Sequence, residues 1–262
     1  PEHPEVAMKL HLLGALRLAR GDYPGAERLL RRSLAIRETA LGPDHAEVGT
    51  SLYFLGSVQL GLNSTAEAEG NLRRALAIRE KALGPDHLEV AAVLKVLAAL
   101  YRDQGKYGQA EPLFRRSLAI LEKHLGANHP AVAANLTEMG QLHVAQARYA
   151  QAALLYQRAL SILEKALGPE HPNVVATMTM LAALYFAEGR YTQAEPLYRR
   201  ALASQERMLG PEHPGLAENL EKYALLLRKL ERSAEADAIE ARLKRLRAGK
   251  PLSPASKPDQ KP

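Results

Sequence analysis

The chain has 262 residues, which is enough for one or two ordinary domains or for a repeat array without a single central core. It contains no cysteine, which excludes disulfides and thiol chemistry, and no run of about 20 apolar residues of the kind that a membrane helix needs. The net charge of +6 is carried by residues 241–262, and the rest of the chain is neutral.

A histidine recurs at a constant spacing of 42 residues, at His3, His45, His87, His129, His171 and His213. It ends a junction of the type Leu-Gly-Pro-Asp-His, and such a fixed period indicates one supersecondary unit copied along the chain. We predict six repeats, numbered 1 to 6, at 3–44, 45–86, 87–128, 129–170, 171–212 and 213–247. Residues 248–262 are rich in Pro, Lys and Ser and should form a disordered tail.

The chain opens with Pro-Glu-His-Pro, which matches the end of a junction. We therefore expect that further repeats or another domain precede it in a longer protein.

Repeat 3 shows the predicted elements in chain order. Residues 87–104 carry apolar side chains at helical spacing, and Asp86 with Glu89 has the spacing of a capping box, as Asp44 has with Glu47. Gly105 supplies a turn, a second amphipathic helix follows at about 107–125, and a glycine ends it. In repeat 6 the second helix keeps only a narrow apolar face, which is typical of a terminal capping helix.

Two small-residue positions recur in the repeats and predict close helix contacts. The first is alanine in every repeat, at Ala26, Ala68, Ala110, Ala152, Ala194 and Ala236. The second is Gly14, Gly56, Ala98, Gly140, Ala182 and Ala224.

The pattern Leu-Ala-x-Leu-Tyr-x-x-x-Gly-x-Tyr-x-x-Ala-Glu-x-Leu-x-x-Arg occurs at 97–116 and 181–200. It resembles the tetratricopeptide repeat (TPR), and the 42-residue period is similar to that of the kinesin light chain subtype. The resemblance implies an all-α fold, a right-handed superhelix of about six helix-turn-helix repeats. It also implies that first helices line a concave groove and second helices the convex side.

In this family, ligand contacts fall on first-helix positions that point into the groove, and we transfer those positions by register. The expected peptide-binding residues are Met8, His11, Leu18, Thr50, Tyr53, Leu60, Lys95, Arg102, Thr137, Gln141, Val144, Thr179, Phe186, Glu221 and Arg228. They differ between repeats while the small-residue positions stay constant, which favours a role outside the fold. Their mixed character predicts an extended or helical peptide with apolar side chains and an acidic group. Kinesin light chains carry an Asn pair that this chain lacks, with Lys95-Val96 in its place in repeat 3.

Catalytic, metal and cofactor chemistry are not predicted. The sequence has no phosphate-binding loop and no nucleophile elbow. Equivalent histidines of neighbouring repeats are a helix pair apart, too far to share a metal ion, so we expect them to satisfy backbone groups at the turns. Arg pairs such as Arg31-Arg32 follow Glu27 and its equivalents by four residues, which predicts ion pairs on the helix surface.

The sequence therefore predicts a noncatalytic, cytoplasmic scaffold that binds a protein or peptide segment in its groove, without membrane contact. One alternative is a regulatory or oligomerising arm of a larger, multidomain signalling or effector protein. The other is weak nucleic-acid binding through the basic end at 242–262.

Overall fold

A computed structural model describes residues 3–248, and within that range all regular structure is helical. It contains twelve α-helices and one turn of 3₁₀ helix at Pro214–Leu216. The helices are α1 Pro4–Ala19, α2 Tyr23–Leu41, α3 Ala46–Gly61, α4 Thr65–Leu83, α5 Leu88–Asp103, α6 Tyr107–Leu125, α7 Pro130–Ala145, α8 Tyr149–Leu167, α9 Pro172–Ala187, α10 Tyr191–Leu209, α11 Ala217–Lys229 and α12 Ser233–Arg247. Of the tail predicted at 248–262, only Ala248, the C-cap of α12, lies within the described residues.

Helix lengths repeat with the sequence period. The first helix of each of repeats 1 to 5 has 16 residues and the second has 19. The helices form two compact bodies, Pro1–Gln146 with α1 to α7 and Ala147–Pro262 with α8 to α12. We call them the N-terminal body and the C-terminal body. None of the helices in residues 3–248 is long and apolar enough to span a bilayer.

Close contact between the two helices of a repeat depends on the two small-residue positions. All six alanines of the first position are fully buried. At the second position, a Cβ atom added to Gly14 or Gly56 would lie 2.8 Å from the Cγ atom of Leu30 or Leu72. A larger side chain would therefore push the pair apart, as predicted from the repeated small residues.

Glycine ends the second helices for a conformational reason. Gly42, Gly84, Gly126, Gly168 and Gly210 have φ between 82° and 90° and ψ between 155° and 161°. This backbone region is essentially restricted to glycine. The turn between the two helices of a repeat also needs a positive φ, which Gly105 adopts as predicted and which Asn63, Ala147 and Glu231 adopt without the help of glycine.

The junction histidines are helix N-caps. In each of the six copies Nδ1 accepts a hydrogen bond from the backbone N–H two residues later, at distances from 3.0 to 3.3 Å. Such a bond satisfies one of the backbone donors that a helix start leaves free. The prediction that these histidines bind backbone groups at the turns is confirmed.

The predicted capping boxes are wrong, because the histidine and not the preceding aspartate occupies the N-cap position. Asp44 and Asp86 instead accept bonds from the next repeat, from Lys81 at 2.8 Å and Lys123 at 2.6 Å. The pairing with Lys81 and Lys123 lowers the pKa of both carboxyl groups.

Most arginines of the repeated pairs have acidic partners. The first forms the predicted pair within its helix, as Arg31 does with Glu27 at 2.7 Å and Arg73 with Glu69 at 2.9 Å. The second connects neighbouring second helices, and Arg116 illustrates it with a 2.5 Å pair to Glu80 and a 2.8 Å hydrogen bond to the Pro85 carbonyl. Each exposed pair is worth only about 0.2–1 kcal/mol, so the repeats depend mainly on their apolar contacts.

Candidate functional site

First helices of the N-terminal body form a continuous layer, since α1 contacts α3, α3 contacts α5 and α5 contacts α7. Most of the predicted groove residues of this body keep part of their surface open. Met8 and Val144 are exposed. Leu18, Thr50, Tyr53, Leu60, Lys95, Arg102, Thr137 and Gln141 are half-buried.

His11 differs from the other predicted residues because it is buried, with 8% of its surface exposed. Its ring packs edge-on against Phe54 at 4.7 Å between ring centres. Burial, and then the positive charge of Arg37, lower the pKa of His11 to about 4. A neutral, packed imidazole contributes to the core, so we leave His11 out of the binding surface proposed below.

Tyr53 presents an aromatic surface beside a buried cation. The Arg79 guanidinium lies 4.9 Å from the Tyr53 ring centre, within the range of a cation–π contact. The ring of Phe54 lies edge-on to the Tyr53 ring, with ring centres 5.3 Å apart. Burial raises the pKa of the Tyr53 hydroxyl against the lowering effect of Arg79, so the group stays neutral and can donate or accept a hydrogen bond.

The two predicted cations of this layer differ in availability. Arg102 is engaged by Glu138 at 2.5 Å, Gln141 at 2.7 Å and Asp103 at 2.9 Å, and so connects α5 with α7. Lys95 has no hydrogen-bond or ion-pair partner among residues 3–248. Lys95 is therefore the cation that can meet an acidic group of a ligand.

The C-terminal body contains a cleft of about 460 Å³ between α9, α10 and α11. Apolar and polar side chains line it together, which suits a peptide side chain flanked by its amide groups. The lining residues are Pro172, Val175, Ala176, Thr179, Met180, Gln205, Met208, Leu209, Glu218, Asn219 and Lys222. Met208 and Leu209 are exposed there despite their size.

One predicted residue of this body, Thr179, lies in the cleft. Phe186 packs instead on Tyr191, with ring centres 5.4 Å apart. Glu221 pairs with Arg247 at 2.6 Å, and Arg228 pairs with acidic residues of α12. The structure therefore gathers the predicted residues of the C-terminal body only in part.

The residue at the position of Gln205, which lines the cleft, differs between repeats. At the position of Gln205, repeats 1 and 2 carry arginines, and Arg37 reaches forward to the Glu47 carbonyl at 3.1 Å and the Ser51 hydroxyl at 2.8 Å. Arg79 reaches the Glu89 carbonyl at 3.0 Å in the same way. Repeats 3 and 4 carry Leu121 and Leu163 at this position, and Gln205 is shorter than arginine and accepts a hydrogen bond from Asn219 at 2.9 Å.

Comparison with known families agrees with this geometry. The tetratricopeptide repeat model matches residues 5–81, 64–123, 97–165, 155–207 and 174–247. The chain belongs to the tetratricopeptide repeat family. The predicted fold class, an all-α repeat fold of the α-solenoid type, is therefore confirmed, and no curated protein matches the sequence.

Solved structures place this TPR chain near kinesin light chain-like repeats. A Podosopora anserina protein described as a kinesin light chain with nearly identical TPR-like repeats is 27% identical, with a TM-score of 0.67, over 79% of this chain and 97% of that one. BtubC (BKLC) from P. vanneervenii is 18% identical, with a TM-score of 0.72, over 92% and 96%. A Rap protein complexed with Competence and Sporulation Factor is 16% identical, with a TM-score of 0.65, over 92% and 74%.

Register transfer from the TPR family missed part of the cleft. Met208 and Leu209 come from the end of a second helix, whereas the family positions lie on first helices. A signal was present, because Met208 stands where the other repeats have Ala40, Ala82, His124 and Ala166. A large apolar residue at a small-residue position of an exposed helix end indicates a surface with another use.

The sequence analysis also considered a metal site and a nucleic-acid site at the basic end. No group of three metal-ligating side chains occurs within residues 3–248. At the basic end, Arg242 pairs with Glu206 and Arg247 with Glu221, so two of the four basic side chains on α12 are neutralised by this chain. Lys250, Lys257 and Lys261 of that end lie outside the described residues.

Proposed function

We propose that this TPR protein is a noncatalytic scaffold that binds peptide segments of other proteins on the surface of its first helices. The observation that carries the proposal is the cleft beside α9, where Met208 and Leu209 stay exposed around the polar groups of Gln205, Asn219 and Lys222. An apolar side chain of a peptide would enter the cleft, and the polar groups would bond its backbone.

In the N-terminal body the proposed contact surface consists of Tyr53, Lys95 and Thr137 with the exposed Met8 and Val144. Tyr53 offers an aromatic face, and Lys95 offers a cation without a partner in the described chain. This combination favours a peptide with apolar side chains and one acidic group. The Rap relative, whose structure was solved with Competence and Sporulation Factor, supports binding of a factor by this kind of fold.

The test is selection of a random-peptide phage library on the 262-residue chain, followed by fluorescence anisotropy of the selected peptides. Gln205→Arg places in the cleft the residue that fills this position in repeats 1 and 2. It should weaken peptides with an apolar anchor about tenfold or more, which corresponds to about 1.4 kcal/mol. Lys95→Glu should weaken acidic peptides to a similar extent because it replaces attraction with repulsion.

Leu154→Glu is the matched control, since Leu154 is 67% exposed on the second helix α8. Its peptide affinities should equal those of the wild type, and thermal melting followed by circular dichroism checks that all three variants fold. Failure to select any peptide would contradict the proposal. Peptides that bind equally well to Gln205→Arg, Lys95→Glu and wild type would also contradict it.

A further inference from the structure

Two methionines line the cleft of the C-terminal body. Met208 belongs to the last turn of α10, and Met180 lies in the middle of α9. The other three methionines lie outside the cleft, with Met139 and Met178 buried and Met8 exposed on α1. The wall of the cleft therefore contains thioether groups, which are the oxidisable form of sulfur in a chain without cysteine.

Met208 departs from the repeat in both size and exposure. Its position holds alanine in repeats 1, 2 and 4 and histidine in repeat 3. Met208 is 37% exposed, and its sulfur has no hydrogen-bond partner among residues 3–248. Met180 is half-buried in the same cleft. The side chain of Met208 is therefore the more open of the two to a small solute that enters the cleft.

Oxidation of a thioether needs one small reagent, a peroxide. The sulfur attacks one oxygen of hydrogen peroxide, and an S–O bond forms while the O–O bond breaks. The second oxygen leaves with both protons as water, so that the sulfur is oxidised by two electrons and the peroxide is reduced. The product, methionine sulfoxide, is a polar and chiral side chain in place of a flexible apolar one.

A sulfoxide at position 208 would change what the cleft can bind. Met208 and Leu209 are the large apolar side chains that stay exposed there, and the amide of Gln205 and the ammonium group of Lys222 are hydrogen-bond donors in the same lining. A sulfoxide oxygen accepts hydrogen bonds from such donors or from water. An apolar anchor would have to displace those bonds without replacing them, which costs free energy. Oxidation of Met208 therefore opposes the entry of an apolar side chain.

We propose that Met208 is an oxidation site through which peroxide prevents the binding of apolar peptide anchors in the cleft. The inference rests on the proposed function, because it concerns the regulation of the same cleft. Methionine sulfoxide reductases convert the sulfoxide back to the thioether, so the loss of binding is reversible.

The experiment treats the 262-residue chain with hydrogen peroxide and follows each methionine by mass spectrometry of proteolytic fragments. The probe is a selected peptide that has an apolar anchor and contains no methionine or cysteine. Its affinity is measured by fluorescence anisotropy before and after treatment. We expect oxidation of Met8 and Met208 and a loss of affinity of about tenfold. A mixture of reductases for both sulfoxide epimers should restore the affinity.

Matched variants separate Met208 from the other methionines. Each variant is compared with its own untreated sample, so that a change in its starting affinity does not enter the result. Met208→Leu keeps an apolar side chain that peroxide cannot oxidise, and treatment should change its affinity by less than about twofold. Met8→Leu should lose about tenfold on treatment, as the wild type does, because Met8 belongs to α1 in the N-terminal body.

Three results would overturn the proposal. The first is an unchanged affinity after Met208 has been oxidised, and the second is an intact Met208 after Met8 has been oxidised. The third is an equal loss in Met208→Leu and in the wild type, which would assign the effect to another methionine. Failure of the proposed function is a separate result, since the untreated chain would then bind no selected peptide, and it would overturn this inference as well.

Discussion

At the residue scale, one position near the end of the second helices carries arginine in repeats 1 and 2, leucine in repeats 3 and 4 and glutamine in repeat 5. Arg37 and Arg79 extend from the ends of α2 and α4 and bond backbone carbonyls at the start of the next repeat. Gln205 accepts a hydrogen bond from Asn219, and both residues line the cleft.

Burial, and then the charge of Arg37, lower the pKa of His11. With its pKa lowered to about 4, His11 stays neutral in the folded chain at pH values where the unfolded chain, with a histidine pKa of about 6.5, takes up a proton. The free energy of unfolding should therefore fall as pH decreases from about 6.5 towards 4. The expected loss from this residue is about 3 kcal/mol, from about 1.4 kcal/mol per pKa unit.

The measurement is urea denaturation of the wild type and of His11→Phe between pH 7 and pH 4. Phenylalanine keeps the edge-on contact with Phe54 but cannot take up a proton. The wild type should lose about 3 kcal/mol more than the variant across this range, since the two chains differ only at residue 11. Parallel pH profiles would contradict the assignment.

The sequence predicted some residues of the candidate site and missed others. The register named Thr179, which lines the cleft, and Lys95, which is half-buried on a first helix, and their role in binding stays a prediction. Met208 was missed because it lies at the end of a second helix, outside the first-helix positions that the register transfer covers. The register predicted that His11 lies in the groove, but its ring packs in the core against Phe54. The spacing of residues in the sequence does not indicate which way a side chain turns.

At the scale of the element, the six junction histidines start the first helices. The 42-residue period predicted where the first helices begin. Because equivalent histidines are too far apart to share a metal ion, we also predicted that they bind backbone groups at the turns. The period did not reveal which residue is the N-cap, because Asp44 and His45 are adjacent and both carry an acceptor. Asp44 is bound by Lys81 of the next repeat, a contact that only the stacked helices create.

A pair of substitutions at His87 tests its capping role. His87→Ala removes the acceptor for the Glu89 N–H and should lower the free energy of unfolding by about 1 kcal/mol. His87→Asn keeps a side-chain oxygen that can accept the same bond and should stay within a few tenths of a kcal/mol of the wild type. Both values come from denaturation curves at neutral pH.

Equal loss in His87→Ala and His87→Asn would mean that the ring stabilises the junction by other contacts. No loss in either variant would mean that water satisfies the N–H as well as the imidazole does.

At the scale of the whole molecule, the chain combines constant packing positions with variable surface positions. The buried alanines and the glycines at the junctions hold every repeat in one form. What differs between repeats includes the residue at the position of Gln205 and the cation Lys95 on α5. The constant part was predictable because it recurs, and the variable part was not, because each feature depends on a single departure from the repeat.

Five methionines make the central claim directly measurable, since Met180 and Met208 line the cleft while Met139 and Met178 are buried. The measurement is a titration of the chain, labelled with ¹³C at the methionine methyl groups, with a selected peptide that has an apolar anchor. The methyl resonances of Met180 and Met208 should shift in wild type and stay unchanged in Gln205→Arg, while that of Met139 stays in place in both. Binding of the peptide without a shift at Met180 or Met208 would contradict the account.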